Sequence, residues 1–153
     1  MLINTELVSE VTSSNYPEAF KQLVAGRSKK KLGNFAHLKN FGVNLVKLNP
    51  GSWSSIRHWH SQQDEFIYIL EGEVTLVTDE GKTILKPGDC AGFPGGEPNG
   101  HHLINNSNDL VIYLEIGDRT TGDAVTYPDA DLLAKEHQGQ WLFTHKDGKV
   151  YDA

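Results

Sequence analysis

Apolar residues in this chain recur in short runs, broken at close intervals by Gly, Pro, Asn and Asp. The first run is the exception in period. Asn15-Tyr16-Pro17-Glu18 reads as a helix start, with Asn15 as cap and an acidic first turn. Ala19, Phe20, Leu23 and Val24 follow on one face, and Gly26 is the stop. Residues 27–40 are polar and basic and read as a loop with some extended structure. From Phe41 onward the texture becomes β-rich. Candidate strands are Phe41 to Leu48, Ser54 to His60, Glu65 to Leu70, Glu73 to Thr78, Lys82 to Leu85, Cys90 to Phe93, His101 to Asn105 and Leu110 to Ile116. The turns between them carry Asn49-Pro50-Gly51, Glu71-Gly72, Asp79-Glu80-Gly81, Lys86-Pro87-Gly88 and a Pro/Gly-rich loop from Pro94 to Gly100. The tail predicts a short extended piece at Val125-Thr126-Tyr127 and a helical turn over Asp131 to Glu136. It closes with a hairpin in which Asp147-Gly148 joins Trp141 to Thr144 with Lys149 to Tyr151.

Many short strands separated by regular turns predict an all-β sandwich or barrel. The chain reads as one domain over 1–153, with an N-terminal arm and helix to residue 40, a core over about 41–117 and a C-terminal extension over 118–153. Within the run after Glu65, alternation puts Ile67 and Ile69 on the face of Glu65, and Phe66, Tyr68 and Leu70 on the other. A strand apolar on both faces predicts a second sheet or a partner subunit over its outside.

Composition narrows the function classes. The chain has 153 residues, 15 of them Gly, and a formal charge of −6. That balance argues against a nucleic-acid partner. The one basic run, Arg27-Ser28-Lys29-Lys30-Lys31, reads as a solvated loop. A single cysteine, Cys90, excludes an intrachain disulfide and reads as a small buried residue. No apolar run approaches the length of a membrane span and no signal-peptide pattern opens the chain, so the expectation is a soluble, cytoplasmic protein with no membrane partner.

Candidate chemistry lies at His58-Trp59-His60 and Glu65. In an extended segment His58 and His60 point the same way and Trp59 the other. Ser61 to Asp64 then form a polar turn, and a hairpin brings the Glu65 carboxylate beside both imidazoles. Two nitrogens and an oxygen make most of a coordination shell for a divalent transition metal. Gly51 and Gly72 flank this stretch at turn positions, and a second block runs Gly88, Pro94, Gly96, His101-His102, Asn105-Asn106.

Together the two blocks resemble the two motifs of the cupin superfamily. The first motif is matched by Gly51, His58, His60, Glu65 and Gly72. The second is matched by Gly88, Pro94 and Gly96, with Glu97-Pro98-Asn99-Gly100 lengthening the gap before its histidine. His102 with Asn106 suits the motif's His-x-x-x-Asn ending; His101 with Asn105 is the alternative, and neighbouring strand residues face opposite ways, so one of the two points inward. The segment from Phe41 to Arg119 is also similar to a group of small bacterial cupins, some of them labelled sugar-phosphate isomerases. The resemblance implies a double-stranded β-helix, a jelly-roll barrel holding one metal ion (Zn, Mn, Fe, Ni or Co) on His58, His60, Glu65 and His102. It also implies a homodimer and a small-molecule ligand or substrate.

Two functions follow. One is a metal-dependent enzyme acting on a small polar molecule by isomerase, lyase, decarboxylase or dioxygenase chemistry. The other is a non-catalytic binding or sensor module. Trp53, Trp59, Trp141 and Tyr113 read as packing residues before pocket residues. Arg57 is expected to face away from the histidines. Arg119 is a candidate for holding a carboxylate or phosphate.

Overall fold

A computed structural model describes residues 1–152. Strands dominate, as the patterning predicts, and they form three antiparallel sheets. The largest has six strands in the order β1 (Glu10–Val11), β2 (Arg27–Lys31), β3 (Phe41–Leu48), β10 (Val111–Asp118), β5 (Glu65–Glu71) and β8 (Cys90–Phe93). The second runs β13 (Gln140–Thr144), β12 (Leu132–His137), β11 (Ala124–Tyr127) and β4 (Trp59–His60). The third runs β7 (Gly81–Leu85), β6 (Val74–Thr78) and β9 (His102–Ile104). Isolated bridges His58↔His101 and Trp53↔Ile104 tie the segment before β4 to the segment around β9. The two smaller sheets are thereby joined into one wall facing the six-stranded sheet.

Inward-facing residues of the two walls form one apolar cluster around Val46, Leu48, Ile69, Val111 and Tyr113, all fully buried. A second cluster, Ile56, Val125, Tyr127, Leu132 and Ala134, packs under the C-terminal strands with Tyr16 and Phe20 against it. Gly72 turns β5 into β6 at φ 76°, and a Cβ there would lie 2.6 Å from the Leu110 carbonyl oxygen, so this turn needs glycine for both its backbone and its neighbour. No helix among the described residues is long and apolar enough to cross a membrane.

Several elements differ from the sequence expectation. The helix is α1 (Glu18–Lys21), continued by a 3-10 turn over Gln22–Val24, and its cap position is Pro17, not Asn15. A second short helix, α2 (Leu32–Phe35), occupies part of the expected loop. The basic run is a strand, because β2 pairs along β3 from Arg27↔Leu48 to Lys31↔Asn44. The helical turn expected over 131–136 is strand β12. There Leu132 and Ala134 are buried at the strand period, and pairing with β11 and β13 outweighs the helical propensity of Leu-Leu-Ala-Lys-Glu. Only Trp59–His60 of the expected 54–60 strand is regular, since the preceding residues hold their position by single bridges. Cys90 is exposed, on the outer face of β8 opposite Tyr68, where expectation had it buried. The outer residues Phe66, Tyr68 and Leu70 are each about 40% exposed, so within one chain nothing covers that face of β5.

Candidate metal centre

The site lies in a cavity of about 500 Å³ between the two walls. His58 and His60 flank Trp59 and share a face, as alternation requires, with ring centroids 5.1 Å apart. The turn that follows is shaped by buried and half-buried carboxylates. Asp123 accepts from Ser61 Oγ (3.1 Å) and from the Gln62 backbone N–H (2.8 Å), and Asp118 accepts from the Asp64 N–H (2.6 Å). This turn delivers Glu65 to the start of β5, facing inward. Glu65 Oε2 lies 3.4 Å from His58 Nε2, and its Oε1 lies 3.4 Å from His60 Nε2.

The third imidazole is that of His101. Its Nε2 is 2.5 Å from Glu65 Oε2, and its ring stacks on Phe93 at 3.6 Å. His58 and His101 are direct cross-strand partners, exchanging N–H···O bonds of 3.2 and 2.9 Å in the two directions. Partners across an antiparallel pair project to the same face, which puts His101 beside His58. His102, favoured on the motif ending, borders the same cavity but does not reach Glu65. Its Nδ1 is 2.9 Å from the Ser55 carbonyl oxygen, and Trp53 packs edge-on to its ring at 4.8 Å. The motif could not reveal this, because the lengthened gap hides which residue stands across from His58.

The outer nitrogens explain why the inner ones converge. His58 Nδ1 donates to the Ile56 carbonyl (2.8 Å), and His60 Nδ1 donates to buried Asp123 Oδ2 (2.5 Å). His101 Nδ1 faces the Asn99 carbonyl at 3.4 Å. With hydrogen on Nδ1, each ring turns an Nε2 lone pair toward Glu65. Three lone pairs aimed at a carboxylate repel unless a cation lies among them, either a metal ion or the protons that the rings take up without one. Burial by itself lowers the His60 pKa, but Glu65 and Asp123 outweigh it and bring it to about 9. Burial by itself raises Glu65, yet His58, His101 and His60 hold it well below the usual carboxylate range. The arrangement thus favours positive charge at its centre. Ligand atoms of His58, His60 and Glu65 all lie within 4.8 Å of one another, and imidazole nitrogens with a carboxylate oxygen suit a divalent transition metal.

Sequence reasoning missed Asp123, which orients His60 from outside the cluster in the manner of a carboxylate behind a metal-bound histidine. It sits in an unremarked loop with no motif to flag it. Of the aromatic candidates, Tyr113 and Trp141 line the cavity and Trp53 backs His102. Arg57 does face away, pairing with Asp79 and Asp129.

Comparison with known proteins identifies the family and the fold. The family model described as a cupin domain matches residues 44–117. A crystal structure of a sugar phosphate isomerase from a cupin superfamily, from Silicibacter pomeroyi, is 39% identical, with a TM-score of 0.95 over 100% of this chain and 98% of that one. The chain belongs to the cupin superfamily. Its fold is therefore the double-stranded β-helix. A provisionally named sugar phosphate isomerase from Acidithiobacillus ferrooxidans is 30% identical, with a TM-score of 0.74 over 80% of each chain. A provisionally assigned oxalate decarboxylase from Thermotoga maritima is 22% identical, with a TM-score of 0.62 over 78% of this cupin and 100% of that chain. At that identity the likeness is one of fold alone. No curated protein sequence matches significantly.

Proposed function

We propose that this cupin is a metal-dependent enzyme that isomerises a small polar, hydroxylated molecule, with His58, His60, Glu65 and His101 holding one divalent transition metal. The observation that carries the reading is the convergence of three Nε2 atoms on Glu65, each ring held from behind by an oxygen acceptor. The names carried by the Silicibacter and Acidithiobacillus structures support isomerisation over the other reactions open to such a shell. When bound, the metal supplies Lewis acidity at a carbonyl or hydroxyl oxygen. The surrounding residues bind and orient the substrate. The Tyr113 hydroxyl is fully buried behind the cavity lining, near Ser54 and without a well-formed hydrogen bond. His102 also borders the cavity, and burial, with the nearby His58 and Arg57, lowers its pKa. The exposed Phe66, Tyr68 and Leu70 on β5 support a homodimer through that face, which light scattering in solution tests.

Metal analysis of the purified chain with two variants tests the ligand set. About one divalent ion per chain is expected in the wild type and in His102→Ala, with most of it lost in His101→Ala. Retention in His101→Ala with loss in His102→Ala overturns the assignment. A fully metallated protein that binds sugars without converting them would instead be the non-catalytic binding module.

A further inference from the structure

The basic run of β2 changes meaning once it is a strand. Arg27, Lys29 and Lys31 alternate with Ser28 and Lys30, and those three line the cavity together with Arg119. The four cations are not equivalent. Lys29 is matched by Glu115 at 2.8 Å. Arg27 donates to the Ser54 carbonyl oxygen at 2.5 Å. Arg119 donates only to neutral oxygens, the Leu38 carbonyl (2.9 Å) and Asn34 Oδ1. Lys31 makes no ion pair or side-chain hydrogen bond among the described residues. The acid nearest in sequence, Asp118, has both oxygens occupied, by the N–H groups of Asp64 and Thr120. Lys31 and Arg119 are therefore two cations lining the cavity that form no ion pair among the described residues.

Strand register relates this pair to the metal-binding cluster. Glu65 pairs with Gly117, and Gly117 pairs with Gly42. Across this row two side chains are missing. A Cβ at Gly117 would sit 4.0 Å from Glu65 Cγ, and one at Gly42 would sit 3.6 Å from Arg119 Nη2. The glycines thus form a trough from Glu65 to the Arg119 guanidinium, two strand spacings or about 10 Å long. The next row ends on Lys31, through Glu115 and Asn44. A trough of that length, with a polar cluster at one end and two cations free of ion pairs at the other, suits a short polyhydroxylated chain that ends in a dianion.

We propose that Lys31 and Arg119 form the subsite for the phosphoryl group of a phosphorylated polyhydroxy substrate whose carbon chain lies along Gly42 and Gly117 toward Glu65. This assignment rests on the proposed isomerase reading for the role of its far end. Arginine supplies paired donors to phosphoryl oxygens and lysine supplies a point charge.

Isothermal titration of the metal-loaded full chain with inorganic phosphate, glucose 6-phosphate, gluconate and glucose tests it, with metal content measured alongside. Phosphate and glucose 6-phosphate are expected to bind and glucose at least tenfold more weakly. Lys31→Met, which removes no internal contact, and Arg119→Gln are each expected to weaken both phosphorylated ligands at least fivefold with metal content unchanged, and Arg119→Lys to restore part of the loss. Undiminished phosphate binding in Lys31→Met and Arg119→Gln overturns the subsite. So does glucose or gluconate binding as tightly as glucose 6-phosphate. A wild type that takes up no metal yet binds phosphate through these two residues overturns the proposed function and leaves the subsite standing.

Discussion

Replacing Asp123 by asparagine separates orientation of a ligand from stability of the fold. Asp123 is 1% exposed. Its Oδ1 accepts from Ser61 Oγ and the Gln62 N–H, and its Oδ2 accepts from His60 Nδ1. In Asp123→Asn the donors around Oδ1 keep the amide oxygen on their side, so the amide NH₂ falls opposite His60 Nδ1. A donor then faces a donor. His60 relieves the conflict by moving its hydrogen to Nε2, which removes the lone pair aimed into the cluster. Loss of a carboxylate behind a metal-bound histidine typically weakens metal affinity about 10–100-fold, equivalent to about 1.4–2.8 kcal/mol. Loss of one charge-assisted hydrogen bond costs the metal-free fold about 1.5–3 kcal/mol. Asp123→Ala instead strands several buried donors and costs about 3–5 kcal/mol, while leaving His60 free to keep either tautomer. Chelator competition for affinity and urea unfolding of the metal-free protein measure the two effects separately. Metal affinity of Asp123→Asn within twofold of wild type would refute the tautomer argument.

Three further outcomes follow from the packing. Glu115 is held below its ordinary pKa because Lys29 and Asn44 outweigh the upward push of burial. A carboxylate lowered in the folded state contributes stability that is complete above its unfolded value of about 4.3 and is lost as pH falls through the folded value. Glu115→Gln should therefore cost about 1–3 kcal/mol at pH 7, with the gap to wild type closing below about pH 4; a gap that widens on acidification in urea titrations contradicts this sign. Tyr113→Phe removes a buried hydroxyl with no well-formed partner, so thermal denaturation should show stability unchanged or raised by up to about 1 kcal/mol. Gly72→Ala combines a left-handed backbone with a contact to the Leu110 carbonyl and should cost at least about 2 kcal/mol, visible as a lower urea midpoint with unchanged slope.

Where local chemistry decides structure, the sequence was readable. Strands Phe41–Leu48 and Cys90–Phe93 occur with the expected bounds, because alternating β-formers between strong turn signals leave few alternatives. The inward face of β5 is likewise as expected, since alternation from Glu65 places Ile67 and Ile69 together. Strand β12 was not readable, because its helical residues become extended only through neighbours on both sides. Nor was β2, whose charges look solvated until β3 pairs with them.

The sequence by itself determined that this chain is a β-barrel of cupin type, and that His58, His60 and Glu65 share a face near one turn. Those facts depend on period, turn residues and short spacings, all of them local. Tertiary structure alone decided that His101 and not His102 joins them, because that choice is set by which backbone lies across from His58. It also brought Asp123 behind His60 from sixty-three residues away and turned a basic run into part of one wall of the cavity. In each case the partner is distant in sequence, and no local pattern records what a strand will find beside it.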